Sequence, residues 1–149
     1  MASKIEELYR QVIMDHAKTP RNKGITKGDK FTFVHFKNPS CGDDINVEVN
    51  IENGIIKDVH QDGRGCSISM SSASVMTETL IGKTVEEALE LIEEFYTLVK
   101  GEEVTHEEEL GEALAFEGVS QFPARIKCAT LSWKAIEQAI KDDKNGQEE

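Results

Sequence analysis

From Ile45 to Glu52 the chain alternates without a break. Ile45, Val47, Val49 and Ile51 are apolar, and Asn46, Glu48, Asn50 and Glu52 are polar. A period of two builds a strand with one buried face. The run ends at Asn53-Gly54, the dipeptide that most favours a two-residue hairpin. The chain therefore doubles back, and Ile55 to Gln61 is expected as the antiparallel neighbour. Upstream, Phe31 to Phe36 is rich in aromatic and β-branched residues and suits a third strand. Asn38-Pro39-Ser40-Cys41-Gly42-Asp43, between the first two strands, is turn chemistry throughout. Three sequential strands with short connections predict an antiparallel meander, and its apolar face needs a cover.

Helices supply that cover. Ser3 and Glu6 have the spacing of a capping box, and Ile5, Leu8, Tyr9, Val12 and Ile13 recur at helical spacing until Pro20 stops the run. Asn22 to Gly28 is a loop. Gly63-Arg64-Gly65 breaks the last strand, and Cys66 stands where a helix begins. That helix, Ser67 to Ile81, is rich in serine, so packing rather than propensity has to hold it. Gly82 closes it. Thr84 and Glu87 form a second capping box, opening a helix to Val99 with Val85, Ala88, Leu89, Ile92 and Phe95 on one face. Gly101 to Gln121 is acidic with weak periodicity; it is expected as a surface segment with a short helical turn near Leu110 to Phe116. Pro123 suits the first turn of a last helix carrying Ile126, Ala129, Trp133, Ile136 and Ile140. Residues 141–149 are expected as a disordered tail. The prediction is one α+β domain over 1–149, a small three-stranded antiparallel sheet with helices packed on one face.

Several functions are argued against. The net charge of −11 repels a phosphate backbone, so nucleic acid is not an expected partner. No apolar run is long enough for a membrane span. The first nine residues hold no apolar signal core, which makes the cytosol the expected compartment. The acidic stretches, Glu86 to Glu117 and Lys141 to Glu149, read as solvated surface. There is no nucleotide-binding glycine fingerprint. His16, His35, His60 and His106 neighbour no cysteine in sequence, so no Cys–His dyad is indicated. His16 and His35 read as packing or surface residues, and His106 as exposed.

Three cysteines remain: Cys41, Cys66 and Cys128. An odd number in a reducing compartment favours free thiols, metal ligands or catalytic groups over disulfides. Cys41 lies in a turn. Cys66 lies at a helix start, where the dipole and free N–H groups favour a thiolate. Asp43, across Gly42 from Cys41, adds a carboxylate. Three thiolates and one carboxylate would complete a tetrahedral zinc site, and thiolate softness suits zinc or iron–sulfur species. Spacing alone leaves the alternative open that these are three unrelated thiols and a turn aspartate.

The motifs narrow this. Leu8-Tyr9-Arg10, Asp15-His16, Pro20-Arg21-Asn22, Asn38-Pro39-Ser40-Cys41-Gly42-Asp43, Gly65-Cys66-Ser67-Ile68-Ser69, Gly82 to Ala88 and Pro123 to Cys128 follow one another in order. With them the chain resembles the IscU/SufU family of iron–sulfur assembly proteins, with a SufE/NifU-like fold, over nearly its whole length. IscU-type scaffolds carry histidine just before the last cysteine, where this chain has Lys127, and they lack the acidic stretch 101–119. Both departures resemble the SufU branch. That resemblance implies Zn²⁺ held by Cys41, Asp43, Cys66 and Cys128. It also implies a sulfurtransferase role, with persulfide sulfur accepted by Cys41 from a SufS-type cysteine desulfurase and passed to a downstream iron–sulfur scaffold. The alternative implied is a scaffold building a [2Fe–2S] or [4Fe–4S] cluster on the same ligands. Arg125 and Lys127 are expected to face an acidic patch on the partner, with Arg64 similar.

Overall fold

The computed structural model describes residues 4–39 and 42–143, with side chains from residue 7 onward. The expected Ser3–Glu6 capping box, Cys41 and residues 144–149 lie outside that description. The elements in order are α1 (Lys4–Lys18), β1 (Thr32–Asn38), β2 (Asp43–Glu52), β3 (Ile55–Arg64), α2 (Ser67–Leu80), α3 (Val85–Val99), the short α4 (Glu107–Leu110), a 3₁₀ segment (Gly111–Gln121) and α5 (Pro123–Asp142).

The sheet is the expected meander, β1-β2-β3, antiparallel throughout. Asn53 and Gly54 both take positive φ, 54° and 76°, as the tight hairpin demands. Ile45, Val47, Val49 and Ile51 are buried on one face, which α5 and α2 cover. Residues 22–24 pair with the outer edge of β3, through Gln61 N–H to the Asn22 carbonyl at 3.0 Å and Gly24 N–H to the Gln61 carbonyl at 2.9 Å. This blunts an otherwise open edge.

The opposite face differs from a simple solvated one. Glu48, in the polar half of the alternation, has a fully buried side chain. The N–H groups of Thr26 and Lys27 donate to it at 3.0 and 2.8 Å, and the Thr26 hydroxyl at 2.7 Å. His60 pairs with it at 2.7 Å, and Phe31 stacks on His60. A charge sits there because a loop folds over it and supplies donors.

The serine-rich α2 is held by packing, as its composition requires. Ser69, Ser71, Ser72 and Ser74 are all buried. The Ser72 hydroxyl donates to the Ala129 carbonyl and accepts from the Trp133 indole N–H at 3.0 Å, tying α2 to α5. Small side chains let the two helices approach closely while each of these four α2 hydroxyls keeps a partner. The Thr84–Glu87 capping box forms as read.

The acidic segment corrects its reading as surface. Leu110, Ala113, Ala115, Phe116 and Val119 are buried, and Phe116 packs on Phe95 with centroids 5.9 Å apart. Residues 110, 113, 116 and 119 recur every three positions, the period of a 3₁₀ helix. Glutamates between them face water. The first three residues of the expected tail are structured: α5 continues to Asp142, and buried Asp143 accepts from the Thr32 hydroxyl at 2.7 Å.

Candidate metal centre

Asp43 opens β2 on the same face as Ile45 and is 1% exposed. Its cross-strand partner is Asn38, so the connection 39–42 is anchored at both ends. The Gly42 N–H closes it onto the Asn38 carbonyl at 2.9 Å. Cys66 follows β3 and is the N-cap of α2, with extended backbone, φ −71° and ψ 168°. Cys128 lies within α5 and is fully buried. The fold thus brings one carboxylate oxygen and two thiols, far apart in sequence, within 4.8 Å of one another.

Asp43 is fixed asymmetrically. Its Oδ1 accepts the Cys66 N–H at 3.1 Å. The Ser69 hydroxyl lies 2.9 Å from the same oxygen and 3.0 Å from the Cys66 carbonyl. Oδ2 is buried and, among the described residues, has no hydrogen-bond partner. Gly65 makes this approach possible, because a Cβ there would stand 2.5 Å from Asp43 Oδ1 and 2.6 Å from Ser69 Oγ. Burial pushes the Cys66 thiol up. Hydrogen bonds from the Ser69 hydroxyl and backbone N–H and from Cys128 outweigh it, and the thiol sits below its ordinary value although Asp43 opposes this. Tyr9 of α1 is within electrostatic reach. Burial raises its hydroxyl, Arg125 lowers it, and Cys66 and Cys128 raise it further.

The donor set fits a soft divalent ion. A buried carboxylate oxygen without a partner costs stability unless something fills its lone pairs. Two sulfurs and that oxygen suit zinc, whose bonds of about 2.0–2.3 Å would draw the three together with a small inward shift. Asp15, His16 and Glu112 also converge within 4.8 Å. Their atoms already have protein partners: His16 with Glu112 at 2.9 Å and Ser74 at 2.7 Å, and Asp15 with Arg21 at 2.8 Å.

Of the four residues expected as ligands, Asp43, Cys66 and Cys128 come together; Cys41 lies outside the described residues. Among the histidines, none joins this group. His16 is buried, whereas the side chain of His106 is 39% exposed. Arg64, Arg125 and Lys127 are exposed. Sequence reasoning missed Ser69 and Gly65. Both were visible in Gly65-Cys66-Ser67-Ile68-Ser69, where a glycine precedes the N-cap and a hydroxyl stands three residues after it.

The model of the NifU-like N-terminal domain matches residues 8–129. The chain belongs to this family. Its members include the IscU and SufU proteins of iron–sulfur cluster assembly. The chain is 46% identical to the zinc-dependent sulfurtransferase SufU of Bacillus subtilis (strain 168), covering 95% of each chain. It is 44% identical to the iron–sulfur cluster assembly scaffold protein IscU of Streptococcus pyogenes serotype M1, over 97% of this chain and 90% of that one. A proposed iron–sulfur cluster assembly scaffold for the SUF system from Fervidobacterium islandicum AW-1 has the same fold. Its TM-score is 0.76 at 37% identity, over 90% of this chain and 97% of the other. Among the described residues, no helix is long and apolar enough to cross a membrane.

Proposed function

We propose that this NifU-like domain is a zinc-dependent sulfurtransferase of the cytosol, taking persulfide sulfur from a SufS-type cysteine desulfurase for iron–sulfur cluster assembly. The observation that carries the reading is Asp43. Its Oδ1 is held by Cys66 and Ser69, while the buried Oδ2 stays open beside two thiols. A hard carboxylate in that place, with Lys127 where a scaffold has histidine, favours zinc over a stable cluster.

Asp43, Cys66, Cys128 and Cys41 would hold the ion. Bound zinc supplies one thing, the deprotonated state of the thiols at neutral pH. The Cys41 thiolate attacks the terminal sulfur of the partner's persulfide. A new S–S bond forms on Cys41, the old one breaks, and its electron pair leaves with the desulfurase cysteine as thiolate. No net oxidation occurs. Cys41 suits the nucleophile because it stands in a stretch of turn-forming residues, whereas Cys66 and Cys128 are built into helices. Cys66 and Cys128 are fixed by α2 and α5, so they and Asp43 keep the site assembled while Cys41 reacts. A downstream scaffold takes the sulfur.

The scaffold reading draws on the 44% identity to a protein named as one. Two measurements separate the readings. The first is the metal content of the purified protein: one tightly held zinc supports sulfur transfer, and a stable brown cluster refutes it. The second is intact mass after incubation with desulfurase and cysteine. A gain of one sulfur atom, about 32 Da, that is lost in Cys41→Ala supports the relay. Full stimulation of the desulfurase by zinc-loaded Cys41→Ala, with no sulfur on the protein, refutes it in favour of an allosteric activator.

A further inference from the structure

Beside the metal centre, between the end of β1 and α5, lies a groove of about 220 Å³ lined by Phe36, Lys37, Asn38, Lys127, Leu131 and Lys134. Its composition runs against the rest of the chain. Three ammonium groups and no carboxylate line it, on a protein of net charge −11. Among the described residues, none of the three lysines forms an ion pair; the lysines that do are Lys30 and Lys141. All three lysines are exposed, so an approaching carboxylate meets three cations of one sign.

A second observation points the same way. Asn38 is 7% exposed, and its buried Nδ2 has no hydrogen-bond partner among the described residues. A buried amide donor left unpaired is destabilising. Asn38 therefore adds a donor in want of an acceptor to a groove whose charged groups are all cations. Phe36 and Leu131 give it apolar walls. An inorganic anion satisfies the charges but has nothing to place against those walls. A peptide segment with carboxylates flanking an apolar side chain satisfies both.

We propose that this groove receives an acidic, apolar-anchored segment of the sulfur-donating partner. The assignment rests on the sulfur-transfer reading for the partner's identity. The groove is well placed for docking, since Lys127 precedes Cys128 and Asn38 begins the connection that carries Cys41. A basic groove beside the thiols, on a chain of net charge −11, biases the orientation in which an acidic segment docks. Lys37 and Lys134 are the readers of charge. The Asn38 amide donates to a carbonyl or carboxylate oxygen of the segment at the inner end.

The test uses the full chain loaded with zinc, in three forms: wild type, K37E/K134E, and N38L. Affinity for the desulfurase is measured at low and high salt. The expected result is at least about tenfold weaker binding for K37E/K134E at low salt, with a flatter salt dependence and unchanged zinc content. N38L, which replaces an unpaired donor with an apolar group of similar shape, is expected to melt at or above the wild-type temperature and still bind less tightly. A merely structural asparagine would show the reverse. Binding within twofold of wild type in both variants overturns the proposal, as does full displacement of the desulfurase from wild type by millimolar inorganic phosphate, which marks a small-anion site. Wild type that binds in this salt-dependent way but never gains sulfur refutes the relay and leaves the groove standing.

Discussion

Replacing Gly65 by alanine tests the construction of the metal centre without touching a ligand. The added Cβ would lie 2.5 Å from Asp43 Oδ1 and 2.6 Å from Ser69 Oγ, about 0.9 Å inside ordinary contact. Neither atom belongs to a long side chain that can swing away, and both residues are 1% exposed. Asp43 must turn, and its bonds to the Cys66 N–H and the Ser69 hydroxyl lengthen or break. Overpacking of this kind costs about 1–3 kcal/mol. Loss of the groups that orient a ligand lowers metal affinity by about 10–100-fold. The backbone is not at fault, because Gly65 is absent from the positive-φ residues. Chelator competition for zinc and thermal melting of the metal-free protein measure the two effects separately. Zinc affinity within twofold of wild type, together with an unchanged melting temperature, would refute the reasoning, since the carboxylate would then tolerate displacement.

Three further outcomes are expected. Ser69→Ala removes the one hydroxyl that Asp43 and the Cys66 sulfur share, so the thiol of the metal-free protein titrates higher, measured by alkylation rate against pH. Phe116→Ala destabilises by about 3–5 kcal/mol in denaturant unfolding; a loss under about 1 kcal/mol would mean that the 3₁₀ segment is surface after all. Burial raises the Glu48 carboxyl, but donors from Thr26, His60 and Lys27 outweigh it and the group ends below its ordinary value. A depressed carboxylate contributes stability above its unfolded pKa of about 4.3 and loses it as pH falls through the folded value. The gap in melting temperature between wild type and Glu48→Gln therefore narrows between pH 7 and pH 3.

The parts of the fold legible in the sequence are those with local causes. The alternation from Ile45 to Ile51 and the Asn53-Gly54 turn encode the hairpin within a short stretch, and Thr84 with Glu87 marks a helix start unaided. The 3₁₀ segment escaped because its buried residues recur every three positions, while the periods sought were two and 3.6. Buried Glu48 escaped because its donors lie far upstream, in a loop whose path is set by tertiary structure. The centre was legible as residue types; the orientation of Asp43 was not, because it depends on the end of β3 meeting the start of β2.

The single tryptophan gives the molecule an optical handle. Trp133 stacks on Phe95 with centroids 4.0 Å apart and planes 7° from parallel, and its indole N–H reaches across to Ser72. It therefore sits at the seam between α5, which carries Cys128, and α2, which Cys66 caps. Emission from an indole depends on its polarity and hydrogen bonding, so the native fluorescence reads out the spacing of those two helices. A shift of those two helices on loading of the centre would therefore show in the emission of the unlabelled protein, with no dye competing for the thiols.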